Sequence, residues 1–105
     1  MKFIAVTSCA TGIAHSYMAA EALEKIAKQL DVNYKVEIQG ALGIENRIEA
    51  LDLKDARVII FANDVGLTDH DRFEDYKDIT IQSSPHEVIR HPDKVKKIIE
   101  EYLKK

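Results

Sequence analysis

One residue in this chain has the chemistry of a strong nucleophile: Cys9, the sole cysteine. It opens the stretch Cys9-Ala10-Thr11-Gly12-Ile13-Ala14-His15-Ser16, which joins the apolar run Phe3-Ile4-Ala5-Val6 to a long helical pattern. The first N–H groups of a helix have no internal partners, and the helix dipole makes that end electropositive. A loop wrapped around such an end is an anion cradle, and a thiol placed in it is stabilised as its thiolate. A thiolate in a phosphate-sized cradle points to phosphoryl transfer through a phosphocysteine. Gly12 lets the backbone approach the group closely, and the Thr11 and Ser16 hydroxyls add hydrogen bonds. His15 is either a ligand of the phosphoryl group when protonated, or a side chain that packs the helix start with one ring nitrogen on backbone. The bland alternative is that Cys9 is a small buried apolar residue. The strand end, the glycine and the helix start together weigh against it.

The spacing also invites comparison with tyrosine phosphatases of the low-molecular-weight type, which use Cys, five residues, Arg, then Ser or Thr. Here His15 stands at the arginine position, so the planar fork that grips a phosphoryl group is missing. There is no Asp-Pro dipeptide to supply that family's general acid. Storing a phosphoryl group on Cys9 therefore fits better than hydrolysing it. A cysteine-dependent phosphatase and a non-enzymatic anion- or partner-sensing regulatory module remain as alternatives.

The elements that must position this loop follow from hydrophobic periodicity. Phe3 to Val6 and Val58-Ile59-Ile60-Phe61 are apolar throughout, as strands buried on both faces are. Ala19, Leu23, Ile26 and Leu30 give one apolar stripe to a helix from about Ile13 to Leu30. Tyr34-Lys35-Val36-Glu37-Ile38 and Ile79-Thr80-Ile81 alternate, which predicts strands with one buried face. Gln39 to Gly43 reads as a loop, Ile44 to Ala50 as a short helix with Ile44, Ile48 and Leu51 inward, and Asp69 to Phe73 as a weak helix. Ser84 caps a further helix, with Pro85 in its first turn and Glu87 completing a capping box. A final helix after Pro92 carries Val95, Ile98, Ile99, Tyr102 and Leu103 on one stripe.

Alternating strands and helices imply a parallel sheet with right-handed crossovers. The fully apolar strands belong in its centre and the alternating ones at its edges. The expected fold is a three-layer, flavodoxin- or Rossmann-like α/β domain spanning residues 1–105. Its open four-stranded parallel sheet has the order 2-1-3-4, with helices on both faces. That order puts a topological switch between the first and third strands, where open α/β sheets place their ligands. Cys9 and the turn Asn63-Asp64-Val65-Gly66 meet there. A carboxylate beside an anion is repulsive, so Asp64 is expected to bond loop N–H groups. Gln39 and Gly40 are expected to shape the neighbouring rim.

The chain has 105 residues, 46% hydrophobic and 31% charged, with a formal net charge of −3. That charge argues against binding nucleic acid or an anionic lipid surface. No apolar run approaches the length that crosses a bilayer. A single cysteine forms no internal disulfide, which suits a reducing compartment. His70, His86 and His91 lie in polar contexts without metal-site support, and Asp69-His70-Asp71 is read as solvated surface.

The stretch from Cys9 to Leu23 resembles the signature of the fructose-type enzyme IIB domain of the bacterial phosphoenolpyruvate-dependent sugar phosphotransferase system. The family pattern is Cys-Pro-Thr-Gly-Ile-Ala-His-Thr, then an aromatic residue, Met-Ala and an acidic residue. The likeness continues through Val36–Gly40, Gly43–Asn46, Ile60–Val65 and Arg72-Phe73. The resemblance implies that Cys9 accepts a phosphoryl group from a phosphohistidine of enzyme IIA. Phospho-Cys9 then passes it to a sugar, fructose most commonly, held by the membrane enzyme IIC. It implies that Ala10, Thr11, Gly12, Ile13, Ala14, His15 and Ser16 form the phosphate loop. It also implies no metal or organic cofactor, and a cytoplasmic location at the inner membrane face through enzyme IIC; the sequence is silent on oligomeric state, and a monomer is the default expectation. Two positions depart from the pattern. Ser16 keeps the hydroxyl of the threonine it replaces, whereas Ala10 in place of proline loosens φ and restores an N–H.

Overall fold

A strand that is apolar on both faces has to be covered on both, and this requirement organises the molecule. The computed structural model describes residues 2–10, 13–40 and 43–104. In chain order these form β1 (Lys2–Ser8), α1 (Ile13–Gln29), β2 (Asn33–Gly40), β3 (Gly43–Glu45), α2 (Ala50–Lys54) and β4 (Ala56–Asn63). A 3-10 segment (His70–Ile79), β5 (Thr80–Ser83), α3 (Pro85–Arg90) and α4 (Pro92–Leu103) complete the fold. β1 and β4 lie side by side in the middle of the sheet. Phe3, Ala5, Val58, Ile60 and Ala62 face a core closed by α1, α3 and α4. Ile4, Val6 and Ile59 face a second core closed by Ile48, Leu53 of α2 and Phe73 of the 3-10 segment. The expected three-layer α/β arrangement is therefore present.

The sheet corrects one expectation. It has five strands in the order β3-β2-β1-β4-β5, not four. The four parallel strands keep the expected relative order, but β3 pairs antiparallel to β2, with Ile38 opposite Glu45 and Gly40 opposite Gly43. The sheet is thus mixed, and β2 is interior. The expected helix from Ile44 to Ala50 does not form. Residues 43–45 are strand, Asn46 is left-handed at φ 54°, and α2 starts only at Ala50. The spacing of Ile44, Ile48 and Leu51 fits a helix by coincidence: Ile48 is buried, yet Leu51 is 74% exposed. The physical reason is the row of backbone donors and acceptors on the outer side of β2, which a returning strand satisfies. Gly43, at φ 128°, takes a conformation that a side chain would oppose.

The helices follow their sequence signals more closely. Ala19, Leu23 and Ile26 of α1 are buried. The chain leaves α1 through Asp31 at φ 55°, with Val32 N–H donating to Ala27 O at 3.2 Å and Asp31 N–H to Lys28 O at 3.2 Å. That is a Schellman ending with aspartate in the place glycine usually takes. Ser84 Oγ accepts from Glu87 N–H at 3.1 Å, and Pro85 opens α3. The Glu87 carboxylate does not close the expected box; it faces Lys94 Nζ at 3.4 Å.

β2 holds the second correction. Its alternation predicts one buried face and one wet face, with Glu37 on the wet one. Instead Val36, Glu37, Ile38 and Gln39 are all buried, and Glu37 has no exposed surface. The carboxylate is matched throughout. Arg72 Nη1 donates to Oε1 at 2.8 Å and Nη2 to Oε2 at 2.9 Å, Ile48 N–H donates to Oε1 at 2.7 Å, and Gln39 Nε2 donates to Oε2 at 2.8 Å. Burial alone would raise the Glu37 carboxyl. The hydrogen bonds from Arg72, Ile48 and Gln39, with the Arg72 charge, outweigh it and hold the group below the usual glutamate range.

Arg72→Leu is therefore expected to destabilise the fold by about 3–5 kcal/mol at neutral pH, because it strands a buried carboxylate. In the wild type the pair's contribution is fully present above the unfolded-state glutamate value of about 4.3. It is lost as pH falls through the lower folded-state value. In the variant, burial without a counter-charge favours the protonated carboxyl, so acidification costs the variant less. Denaturation curves at neutral pH and at about pH 4 should show the gap between the two proteins narrowing. A gap that does not change with pH would mean that Arg72 acts through packing alone.

Candidate functional site

The register of the central strands decides what stands beside Cys9. Ser8 is paired with Asn63 across β1 and β4, and with Gln39 across β1 and β2. The next residues out of the sheet on the first pair are Cys9 and Asp64, which leave it as neighbours. Asp64 N–H donates to Ser8 O at 3.2 Å, continuing the strand pairing by one step. Four residues after Cys9, α1 begins, and its first turn carries His15 to the same place.

Around the half-buried Cys9 thiol three groups converge among the described residues. His15 Nδ1, in the first turn of α1, is 3.0 Å from Cys9 Sγ. The Sγ–H donates to Asp64 Oδ2 at 3.4 Å, and Ala10 N–H donates to Asp64 Oδ1 at 2.8 Å. His15 therefore reaches the sulfur, and Asp64 bonds a loop N–H group. Ala14 is exposed on the first turn of α1. Ser16 is only 1% exposed, and its Oγ has no hydrogen-bond partner among the described residues; the same holds for Thr7 Oγ1. Thr11, Gly12 and the side chain of Ile13 lie outside the described residues.

The turn that carries Asp64 is braced from below. Asn63 Nδ2 donates to Val65 O at 2.6 Å, and Gln82 Nε2 of β5 donates to Asn63 Oδ1 at 2.8 Å. On the other side, Gln39 clamps the chain that follows the turn. Its Oε1 accepts from Thr68 N–H at 2.8 Å, and its Nε2 donates to Thr68 O at 3.0 Å as well as to Glu37. Arg72 adds a bond to Ile48 O at 2.7 Å. The segment at Ile48 and the segment from Thr68 to Arg72 are thereby fixed to β2, next to β1, which ends one residue before Cys9. Tyr17, on the first turns of α1, donates its hydroxyl to Glu45 of β3 and so ties the helix start to the hairpin. That bond, with some desolvation and the Glu45 charge, raises the phenol above its usual value.

Sequence reasoning missed the Glu37–Gln39–Arg72 frame as a unit, although Gln39 was expected at the rim. A carboxylate read as solvent-facing gives no cue to its burial. The available signal was a glutamate and a glutamine two residues apart on the face opposite Val36 and Ile38. The Asp69-His70-Asp71 string does not act as a unit. Asp69 pairs with Arg47 at 2.8 Å, while His70, Asp71 and Glu74 sit together on exposed surface.

Known proteins share the fold and much of the sequence. A family model described as the PTS system, lactose/cellobiose-specific IIB subunit, matches residues 4–101. A PTS system fructose-like EIIB component 2 of Escherichia coli strain K12 is 39% identical over 102 residues, covering 97% of this chain and 94% of that protein. A PTS system 2-O-alpha-mannosyl-D-glycerate-specific EIIABC component of the same strain is 44% identical over 90 residues, which is 86% of this chain and 13% of that protein. The crystal structure of a predicted fructose-specific IIB from Escherichia coli superposes with a TM-score of 0.88 at 37% identity, covering 97% of this chain and 88% of that one.

The clamp on Thr68 yields a local test. Gln39→Leu removes the partner of the Thr68 N–H and one of the two donors to the Thr68 carbonyl, leaving Arg72 Nη2 at 3.4 Å, and is expected to destabilise the fold by about 1–3 kcal/mol. Amide hydrogen exchange should accelerate at Thr68 more than at Ala62, in the central strand. Equal acceleration at both positions would mean that Gln39 supports the fold generally and not the segment beside the site.

Proposed function

Because the chain belongs to the IIB family of the sugar phosphotransferase system, whose members work with IIA and IIC components, we propose that Cys9 carries the phosphoryl group. The observation that carries this reading is the placement of Cys9 Sγ at the carboxyl end of the central strand, before the N-terminus of α1, with His15 Nδ1 at 3.0 Å. The donor is a phosphohistidine of enzyme IIA. Sγ attacks phosphorus as the S–H turns from Asp64 Oδ2 to the unprotonated Nδ1 of His15, in its Nε2–H tautomer, and gives its proton there. The S–P bond forms, the donor's N–P bond breaks, and that electron pair stays on the donor imidazole. The phosphoryl oxygens then lie against the amides of the helix start, where the dipole favours negative charge. In the second step a sugar hydroxyl oxygen attacks phosphorus. The S–P bond breaks with its electrons returning to sulfur, and the hydroxyl proton leaves to a base at the acceptor site.

Ala10, Thr11, Gly12, Ile13, Ala14, His15 and Ser16 form the phosphate loop on this reading. Fructose is the proposed sugar, supported by the fructose-like names of relatives that match most of the chain. The acceptor is held by a membrane enzyme IIC, and the chain works at the cytoplasmic face. Among the described residues, no helix is long and apolar enough to cross a membrane.

Incubation with phosphorylated enzyme IIA, followed by intact mass and peptide mapping, is expected to place one phosphoryl group on Cys9. Cys9→Ser should abolish that modification, and His15→Ala should slow it while leaving the fold intact. No label at Cys9 in the wild type would overturn the reading. Membranes containing the cognate IIC should move the label from phospho-Cys9 to fructose; transfer to a different hexose in its place would replace the sugar assignment and keep the carrier.

A further inference from the structure

Asp64 stands where the transfer chemistry least wants it. Its Oδ2 is 3.4 Å from Cys9 Sγ, and its Oδ1 already occupies the Ala10 N–H at 2.8 Å. A phosphoryl group on sulfur brings a charge of about −1.5 to −2. Its oxygens need the backbone donors nearest to Sγ, and Ala10 N–H is one peptide away. The carboxylate and the phosphoryl oxygens compete for the same donor and the same space, and like charges at this separation repel.

Resting on the reading of Cys9 as a phosphoryl carrier, we propose that the Asp64 carboxylate is a resident anion in the phosphoryl seat. It holds the thiol and the Ala10 N–H while Cys9 is empty, and it swings out when Cys9 is loaded. Nothing larger than a side chain has to move. The Asp64 backbone N–H stays on Ser8 O at 3.2 Å, and Asn63 keeps the turn through Val65 O at 2.6 Å and Gln82 Nε2 at 2.8 Å. Asp64 itself is exposed, so another staggered rotamer carries its carboxylate into water. The displaced charge remains on the turn beside the phosphoryl group, so Asp64 raises the free energy of the loaded form and favours discharge. Ala10 is what makes the latch: a proline at this position has no N–H for Oδ1 to accept from.

The test combines phosphorylated enzyme IIA at fixed donor ratios, intact mass to read the equilibrium fraction of phospho-Cys9, and NMR of the Asp64 carboxyl carbon and the Ala10 amide. On loading, both resonances of the wild type should shift as the Asp64–Ala10 bond is exchanged for one to the phosphoryl group. Asp64→Asn, which keeps an acceptor and removes the charge, should shift the loading equilibrium toward phospho-Cys9 by about two- to fivefold, the range of a screened surface charge interaction. In an Ala10→Pro background the same change should have a smaller effect, because the two positions act through one contact. Wild type that loads normally, with Asp64→Asn loading no more than wild type, overturns the latch and leaves the carrier intact. Unmoved Asp64 and Ala10 resonances in loaded wild type do the same, and they need no variant to fold. Wild type that never loads fails the carrier reading itself.

Discussion

A carboxylate with no surface in water, on an interior strand three residues before that strand ends, has to be matched by something. Glu37 is matched by Arg72 in a two-pronged ion pair, by the Ile48 N–H and by Gln39. The pair is weak evidence for net stability, since a well-packed apolar substitute for both partners serves a fold about as well. Its consequence is geometric. Each partner comes from a different segment, and a buried charge tolerates only the arrangement in which every partner is present. β2, the approach to α2, the segment at Thr68 and the 3-10 segment are thereby held in one relation to one another. Gln39 transmits that relation to the level of Ser8, one residue before Cys9.

This explains which parts of the fold could be read from sequence. β1 and β4 were legible because a strand buried on both faces has only apolar residues to show. α1 was legible from its stripe, and α3 from Ser84 and Pro85, because those signals are local. β2 was misread because alternation reports polarity and not exposure. Glu37 is polar and buried, so its strand looks one-sided while being covered on both sides. β3 was missed for a related reason: a three-residue strand has no periodicity of its own. It exists because β2 offers a row of unmet backbone groups, and that demand is written in another part of the chain.

The site was legible to a greater depth than the frame around it. Cys9 and the helix start lie within eight residues, so that His15 would stand near the sulfur could be expected from adjacency. His15 comes within reach of the sulfur because the first turn of α1 brings it back over the loop. Asp64 lies 55 positions from Cys9 and became a neighbour through the order of the central strands, which was read correctly. Arg72 and Thr68 were illegible as supporting residues, because their roles depend on the buried glutamate that the alternation hid.

The separation between a rigid frame and a small set of movable groups has a physical logic for a phosphoryl carrier. A carrier must bind the group strongly enough to accept it and weakly enough to release it, so the balance of attraction and repulsion has to be adjustable near the sulfur. Backbone amides at a helix start supply attraction that does not change, because the helix is fixed by its packing on the sheet. Repulsion is easier to place on a side chain, which needs only a rotation to take effect. In this chain the fixed parts are the buried pair, the Gln39 clamp and the Asn63–Gln82 brace. The exposed Asp64 and the half-buried His15 are the described side chains that reach the sulfur. A frame that deformed as the group arrived would let the attraction weaken together with the repulsion, and the balance between loading and discharge would be lost. If Cys9 is the carrier proposed above, burying the large charges in Glu37 and Arg72 leaves that balance to side chains beside the sulfur, Asp64 and His15 among the described residues.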